Sequence, residues 1–233
     1  SLIGSGAFYR CCSLKNVNLP KSLKSIENEL FYECNSLTQI NIPDTVKSIG
    51  MNAFAQCSQL QKIEIPFSVK EIDECAFADC KSLEIVNVED NSKLEVIKKC
   101  SFKGCSSLKM FKISSCIVEI AENAFENCES LEILTYKNES FNPKLLRKKV
   151  EFPSSVKSIK SFSFKNCIKL HRVTIPPSVT EIGSHAFANC TSLSRVEISD
   201  DSSLRAIECG AFAKCKSLKQ ISIPPSVTEI GSH

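Results

Sequence analysis

The chain has no tryptophan, three histidines, two methionines and seven glycines in 233 residues. It also lacks an excess of charge. Twenty-nine Lys and Arg stand against 26 Asp and Glu, a net charge of +3. So small a surplus does not suggest the clustered basic face that nucleic acid requires. No apolar run approaches the ~18 residues of a membrane span. Ser1-Leu2-Ile3-Gly4 offers neither the basic region nor the apolar core of a secretory signal, and there is no initiator Met. The chain is therefore expected to be a fragment, and a missing signal says little about compartment. His171, His185 and His233 lie near no Ser or Cys in a nucleophile motif. Gly50, Gly183 and Gly231 each close a Val-x-x-Ile-Gly segment, which marks turns rather than a phosphate cradle. No catalytic constellation emerges, no cofactor is implied, and the chain is read as not an enzyme.

What is present is periodic. Phe8, Phe31, Phe54, Phe77, Phe102, Phe125, Phe164, Phe187 and Phe212 follow at gaps of 23, 23, 23, 25, 23, 39, 23 and 25. Each is followed three residues later by Cys and three further on by Leu, as in Phe54, Cys57 and Leu60. After the Leu come apolar-x-apolar and often Pro, as in Ile63-Glu64-Ile65-Pro66, then a pair three apart, as in Val69 and Ile72. A period of this length signals a solenoid. The two-residue alternation predicts a short strand with both Ile facing the core. Pro ends its ladder. The Val-x-x-Ile-Gly segment leads back along another side. Apolar residues three apart in Ala-Phe-x-x-Cys-x-x-Leu predict one helical or 3-10 turn. A single coil cannot bury its own apolar residues, whereas stacked coils can.

This unit resembles the BspA-like class of leucine-rich repeats, surface proteins of some anaerobic bacteria and parasitic protists. The likeness covers nearly the whole chain. It implies an α/β right-handed leucine-rich-repeat solenoid with ~23-residue coils and parallel strands on the concave face. Residues 1–233 form one such solenoid of about nine coils, both ends falling inside a repeat, with an irregular insertion at about 136–149. The parent protein is expected to continue in at least one direction, since solenoids need polar caps. The resemblance also implies a non-catalytic, cell-surface adhesion module for host or extracellular-matrix proteins. The alternative is an intracellular, cytoplasmic scaffold on the same repeat.

The 14 cysteines raise disulfides and metal sites first. Nine recur at the repeat period, which places them in a line inside the solenoid, where free Cys packs as a small apolar residue. Adjacent coils would let some stacked pairs bridge in principle. Zinc needs converging ligands, and a ladder supplies a line. Cys12, Cys75, Cys100, Cys116 and Cys209 lie off the ladder and are expected to be more exposed.

The register also gives the outward strand positions. One column reads Asn16, Gln39, Lys62, Ile85, Met110, Ile133, Arg172, Arg195, Gln220; the other includes Lys112 and is polar throughout. Ile85, Met110 and Ile133 form an apolar strip flanked by Lys62, Arg172 and Arg195. Such a strip is either a partner site or a surface covered by the insertion after Thr135. These seven residues, Lys62, Ile85, Met110, Lys112, Ile133, Arg172 and Arg195, are the candidate binding set. In the insertion, Asn142-Pro143 predicts a helix start before Lys144-Leu145-Leu146-Arg147-Lys148-Lys149. That basic run is a solvated face or a contact for acidic surfaces. Glu89-Asp90-Asn91-Ser92-Lys93 and Ser199-Asp200-Asp201-Ser202-Ser203 read as longer turns, since no oxygen cage for calcium is evident. Asn138-Glu139-Ser140 and Asn189-Cys190-Thr191 match the glycosylation sequon.

Overall fold

A computed structural model describes residues 2–89, 91–136 and 149–232. The chain winds as a parallel-strand solenoid. Eight successive Phe–Phe stacks, from Phe8 to Phe212, mark about eight complete coils, one fewer than the nine units counted from the repeat. The predicted apolar-x-apolar strand forms a seven-stranded sheet, in which Lys62–Ile65, Ile85–Val88, Met110–Lys112, Ile133–Thr135, Val150–Glu151, Arg172–Ile175 and Arg195–Ile198 lie side by side. The register pairs Lys62 with Ile85, Ile85 with Met110, Met110 with Ile133, and Arg172 with Arg195. Ile63, Ile65, Val86, Val88, Val173 and Ile175 point inward and are buried.

The Val-x-x-Ile segment does more than lead back. Each contributes a two-residue strand, from Ser25–Ile26 to Glu229–Ile230, to a second, nine-stranded parallel sheet. In many coils the Ser or Thr before the Val position donates a hydrogen bond to the carbonyl of the equivalent residue one coil back. Thr45 bonds Leu23, Ser68 bonds Val46 and Ser178 bonds Val156. A hydroxyl at this place therefore serves the stack rather than a ligand.

The helical or 3-10 turn does not form: the described residues contain no helix. The reason is a pair of left-handed residues in every coil, two before and two after the marker Phe. Asn52 and Gln56 have φ of 54° and 61°; Asn123 and Asn127 have 57° and 62°. A residue in that region cannot continue a right-handed helix. The backbone instead makes successive turns whose amides reach the next coil. Asn52, Phe54 and Gln56 donate to the carbonyls of Glu74, Ala76 and Ala78, and the same triplet recurs along the stack. This third wall pairs its backbone between coils as fully as the sheets do.

Inside it, the Phe rings stack at 5.1–5.6 Å with interplanar angles of 1–14°. The ladder cysteines sit beside them and do more than fill space. Each Sγ from Cys34 to Cys215 lies 3.1–3.3 Å from the carbonyl oxygen of the Phe one coil back, as a thiol donor. All 14 cysteines are free thiols.

The coil that begins at Phe125 is different. Phe125 stacks directly on Phe164, and Glu119 pairs directly with Ser158. In the seven-stranded wall, however, Val150 lies between Leu134 and Val173, paired with both. The insertion thus returns as an extra strand, ~4.8 Å wide, in one wall only. The core beside it holds Phe111 and Phe152 at inward strand positions where other coils carry Ile, Val or Leu. Phe111 meets Phe102 and Phe125 edge-on at 4.9 and 5.1 Å, and Phe152 meets Phe164 at 5.6 Å. The extra width opens volume, and aromatic rings fill it. The helix expected at Asn142-Pro143 lies outside the described residues.

Glu126, on the same coil, ties three coils together. Its carboxylate meets Lys103 at 3.0 Å and Lys165 at 3.3 Å and accepts from Asn123. Burial works to raise its pKa, but the bonds from Lys103, Asn123 and Lys165 outweigh it and hold the group below the usual carboxylate range. A lowered folded pKa stabilises above the unfolded value, and that stability is lost as pH falls through the folded one. The wild type should therefore lose more stability than Glu126→Gln between pH 6 and pH 3, measured by urea melts at each pH. Phe102→Ala removes a ring stacked on both sides and should cost about 3–5 kcal/mol. That corresponds to a Tm fall of roughly 6–20 °C. Phe212→Ala, at a half-buried ring with one stacked partner, should cost clearly less by thermal circular dichroism.

Candidate binding face

The outward residues of the seven-stranded sheet alternate with the buried ones, so strand pairing aligns them in two rows. The structure separates the seven candidate residues. Lys62 and Arg195 are exposed; Ile85, Lys112 and Arg172 are half-buried. Met110 and Ile133 are withdrawn from solvent, at 2% and 5% exposure, as is Thr135 beside them at 4%. The apolar strip is thus no open patch: only Ile85 retains a share of the surface. Residues 137–148, the expected cover, lie outside the described residues.

The extra strand changes the other end of the face. Pairing of Val150 with Val173 and of Glu151 with Thr174 brings Lys149 next to Arg172 in one row and Glu151 next to Thr174 in the other. Three cations, Lys149, Arg172 and Arg195, therefore follow one another on adjacent strands. Like charges directly opposite repel. Two of the three are compensated along their own strand: Lys149 pairs with Glu151, and Arg195 meets Glu197 at 2.8 Å. The third is not. Two residues after Arg172 stands Thr174, whose hydroxyl donates to Glu197 at 3.0 Å. Arg172 makes no ion pair among the described residues. At the opposite edge Lys62 pairs with Glu64 at 2.7 Å.

Sequence reasoning missed Lys149 and Glu151. The signal was there: Val150-Glu151-Phe152-Pro153 followed by Val156 repeats the Ile63-Glu64-Ile65-Pro66 and Val69 spacing. A pocket of about 390 Å3 lies at the ends of the same strands, bounded by Tyr136, Glu151, Phe152, Thr174, Pro176 and Glu197. Both its carboxylates are already held, Glu151 by Lys149 and Glu197 by Arg195 and Thr174.

The other candidate chemistry is structural. Burial pushes the ladder thiols up, Cys34 and Cys215 to about 11 and Cys80, Cys128 and Cys167 well above the ordinary value. Such thiols are not thiolate nucleophiles at neutral pH. Of the off-ladder five, Cys12 and Cys116 are exposed and Cys75, Cys100 and Cys209 half-buried. His171 Nδ1 lies 2.6 Å from the Lys169 carbonyl, and the His185 ring stacks on Phe162 at 5.2 Å. No cluster of His, Cys, Asp and Glu suited to a metal occurs among the described residues. In the two longer turns, Ser92 and Ser202 accept from the amides of Leu94 and Leu204; Asp90 lies outside the described residues. Of the two sequons, Asn138 lies outside them. The Asn189 amide donates to Asn166, whose own amide donates to Asn127, so it is committed to an asparagine ladder. No helix among the described residues is long and apolar enough to cross a membrane.

A parallel solenoid with a 23-residue coil, an apolar core line and a solvated strand face is a leucine-rich-repeat architecture. The BspA type leucine rich repeat region matches residues 1–132, 90–146 and 135–233, in six copies, and the chain belongs to that family. Among solved structures, a leucine-rich repeat protein from Bacteroides ovatus is 26% identical, with 98% of this chain and 71% of that one aligned, at a TM-score of 0.56. The pneumococcal vaccine antigen PcpA is 25% identical over 93% of this chain and 58% of its own, at 0.59. The leucine rich repeat protein of T. pallidum, 23% identical over 88% and 78%, shares the fold at 0.53. No curated protein matches the chain.

Among the described residues Arg172 has two cationic neighbours and no ion-paired carboxylate, so it is not expected to be a stabilising element. Arg172→Gln should leave Tm within about 2 °C of the wild type or raise it, in line with a surface change of under ~0.5 kcal/mol. A larger fall in thermal melts would show that the guanidinium holds the fold.

Proposed function

We propose that the chain is a non-catalytic protein-binding module of a cell-surface adhesion protein. On this reading it docks a host or extracellular-matrix protein on the outer face of the seven-stranded sheet. The observation that carries the reading is the guanidinium of Arg172, without an ion pair among the described residues, between two paired cations on a regular face. A strand face holds side chains at fixed spacing and loses little entropy when a partner settles on it. A planar guanidinium there suits a carboxylate of the partner, bound bidentately. Arg195, Lys62, Lys112 and the exposed part of Ile85 extend the contact along the same face. Met110 and Ile133 belong to the same outward row but are buried and offer a partner little surface. Family membership supports a protein partner, and PcpA is described as a vaccine antigen.

The test is surface plasmon resonance of the purified chain over immobilised extracellular-matrix proteins, at low and high salt. Binding should weaken with salt. Arg172→Glu with Arg195→Glu should lower affinity at least tenfold, about 1.4 kcal/mol, with an unchanged circular dichroism spectrum. Full retention of binding by this double variant would remove the face as the site.

A second reading, an intracellular scaffold, is favoured by the ladder thiols that act as S–H donors in eight consecutive coils. Such thiols suit a reducing compartment. Antibody staining of intact against permeabilised cells separates the two readings.

A further inference from the structure

Two cysteines outside the ladder share one position in neighbouring coils. Cys75 and Cys100 each stand two residues before a marker Phe, Phe77 and Phe102, whose rings stack at 5.1 Å. Both are left-handed, with φ of 55° and 57°, so their Cα–Cβ bonds leave the backbone in the same sense. The backbone locks the two coils in register around them: the Cys75 amide donates to the Lys99 carbonyl and that of Phe77 to Ser101, at 3.0 and 2.8 Å. Equivalent residues in adjacent coils sit about 4.8 Å apart, inside the Cα window of about 4.4–6.8 Å that a disulfide needs. The Cys100 thiol is among the neighbours that raise the Cys75 pKa, and both residues are half-buried rather than sealed.

No other pair combines these features. The ladder cysteines also stack, and Cys80 touches Cys105. From Cys34 to Cys190, however, they are buried, and each Sγ donates to a Phe carbonyl. Cys12 and Cys116 are exposed, but Asn35 and Ser155 occupy the matching places in the coils that follow. Cys209 is matched by Ser184 in the coil before it.

The geometry points to Cys75 and Cys100 as a redox modification site, a reversible disulfide that staples two adjacent coils when a low-molecular-weight disulfide such as glutathione disulfide is present. One protein thiolate attacks a sulfur of glutathione disulfide, forming a mixed disulfide and expelling a glutathione thiolate. The second protein thiol loses its proton and attacks the protein sulfur of that mixed disulfide, expelling the second glutathione. Two protein thiols are oxidised and one glutathione disulfide is reduced to two glutathiones, so atoms and electrons balance. Burial and the neighbouring Cys100 thiol push Cys75 up to about 11. Attack by the Cys75 thiol is therefore slow at neutral pH. The staple joins the coils that carry the Ile85–Val88 and Met110–Lys112 strands, though the inference does not depend on what that face binds.

The test uses the intact chain, fully reduced and then incubated with excess glutathione disulfide. The protein is then unfolded in denaturant, remaining thiols are alkylated with iodoacetamide, and the product is read by intact and peptide mass spectrometry. The expected product alkylates two fewer cysteines than the 14 present in the reduced chain, with one cross-linked peptide joining Cys75 to Cys100. Its Tm should exceed that of the reduced chain by roughly 5 °C or more. Cys75→Ser and Cys100→Ser should each abolish the cross-link while keeping the circular dichroism spectrum and the reduced Tm. Alkylation of all cysteines, a mixed disulfide that never resolves, or a cross-link at another pair such as Cys80 and Cys105 would overturn the assignment.

Discussion

The structure depends on one repeated contact: the carbonyl of a marker Phe, which accepts both an amide from its own coil and a thiol from the next. The amide closes the turn after the Phe, as Cys57 does to Phe54. The thiol, one coil later, fixes how the neighbouring turn lies on it. This explains why the ladder residue is cysteine. Alanine would fit the space but carries no donor. Serine carries a donor but loses more on burial among phenylalanines, since a hydroxyl is far better solvated by water than a thiol. With turns locked at this point, the Phe rings fall into face-to-face stacks at near-constant spacing, and both sheets inherit their register from the same repeat.

That constraint also shows where variation is permitted. The Phe ladder and the nine-stranded sheet pass from Phe125 and Glu119 to Phe164 and Ser158 with no break. Only the seven-stranded wall admits an additional strand, because its pairing closes equally well around Val150. The cost of opening one wall is core volume, and Phe111 and Phe152 supply it. The two-residue additions in the turns at 89–93 and 199–203 add no strand and leave the Phe77–Phe102 and Phe187–Phe212 stacks and their thiol bonds intact.

Much of this was legible in the residues. The marker Phe, Cys and Leu located the coil, and the Ile-x-Ile alternation located one sheet. The second sheet was half legible, since Val-x-x-Ile showed an inward pair but not that two residues suffice for a ladder. The expected helical turn failed because spacing of three fits both a helix and a chain of tight turns. The residues two before and two after the Phe distinguish them. Asn or Gly occupies eight of those 18 places, Asn52, Asn123, Asn127, Asn166, Asn189, Gly6, Gly104 and Gly210, and these are residues that tolerate left-handed backbone; the other ten, Glu29 and Phe162 among them, carry no such signal. On the strand face, the register put Ile85, Met110 and Ile133 on the outward side and left open whether they are exposed or covered; Met110 and Ile133 are buried. A strand register specifies which face a side chain takes and not how far solvent reaches it.

The same reasoning separates structural from recognising residues on that face. A regular array satisfies itself: Lys62 with Glu64, Lys149 with Glu151 and Arg195 with Glu197 are each cation and carboxylate two apart on one strand, so they meet across one intervening inward residue. The Arg172 strand breaks this arrangement by placing Thr174 where the others have Glu, and Thr174 then turns to Glu197. The break lies beside the extra strand, which brings Lys149 against Arg172. A repeat selected only for stacking has no reason to leave a guanidinium uncompensated between two cations, because a carboxylate at residue 174 would relieve the repulsion. The departure from the cation–carboxylate pattern is what sets Arg172 apart from Lys62, Lys149 and Arg195 on this face.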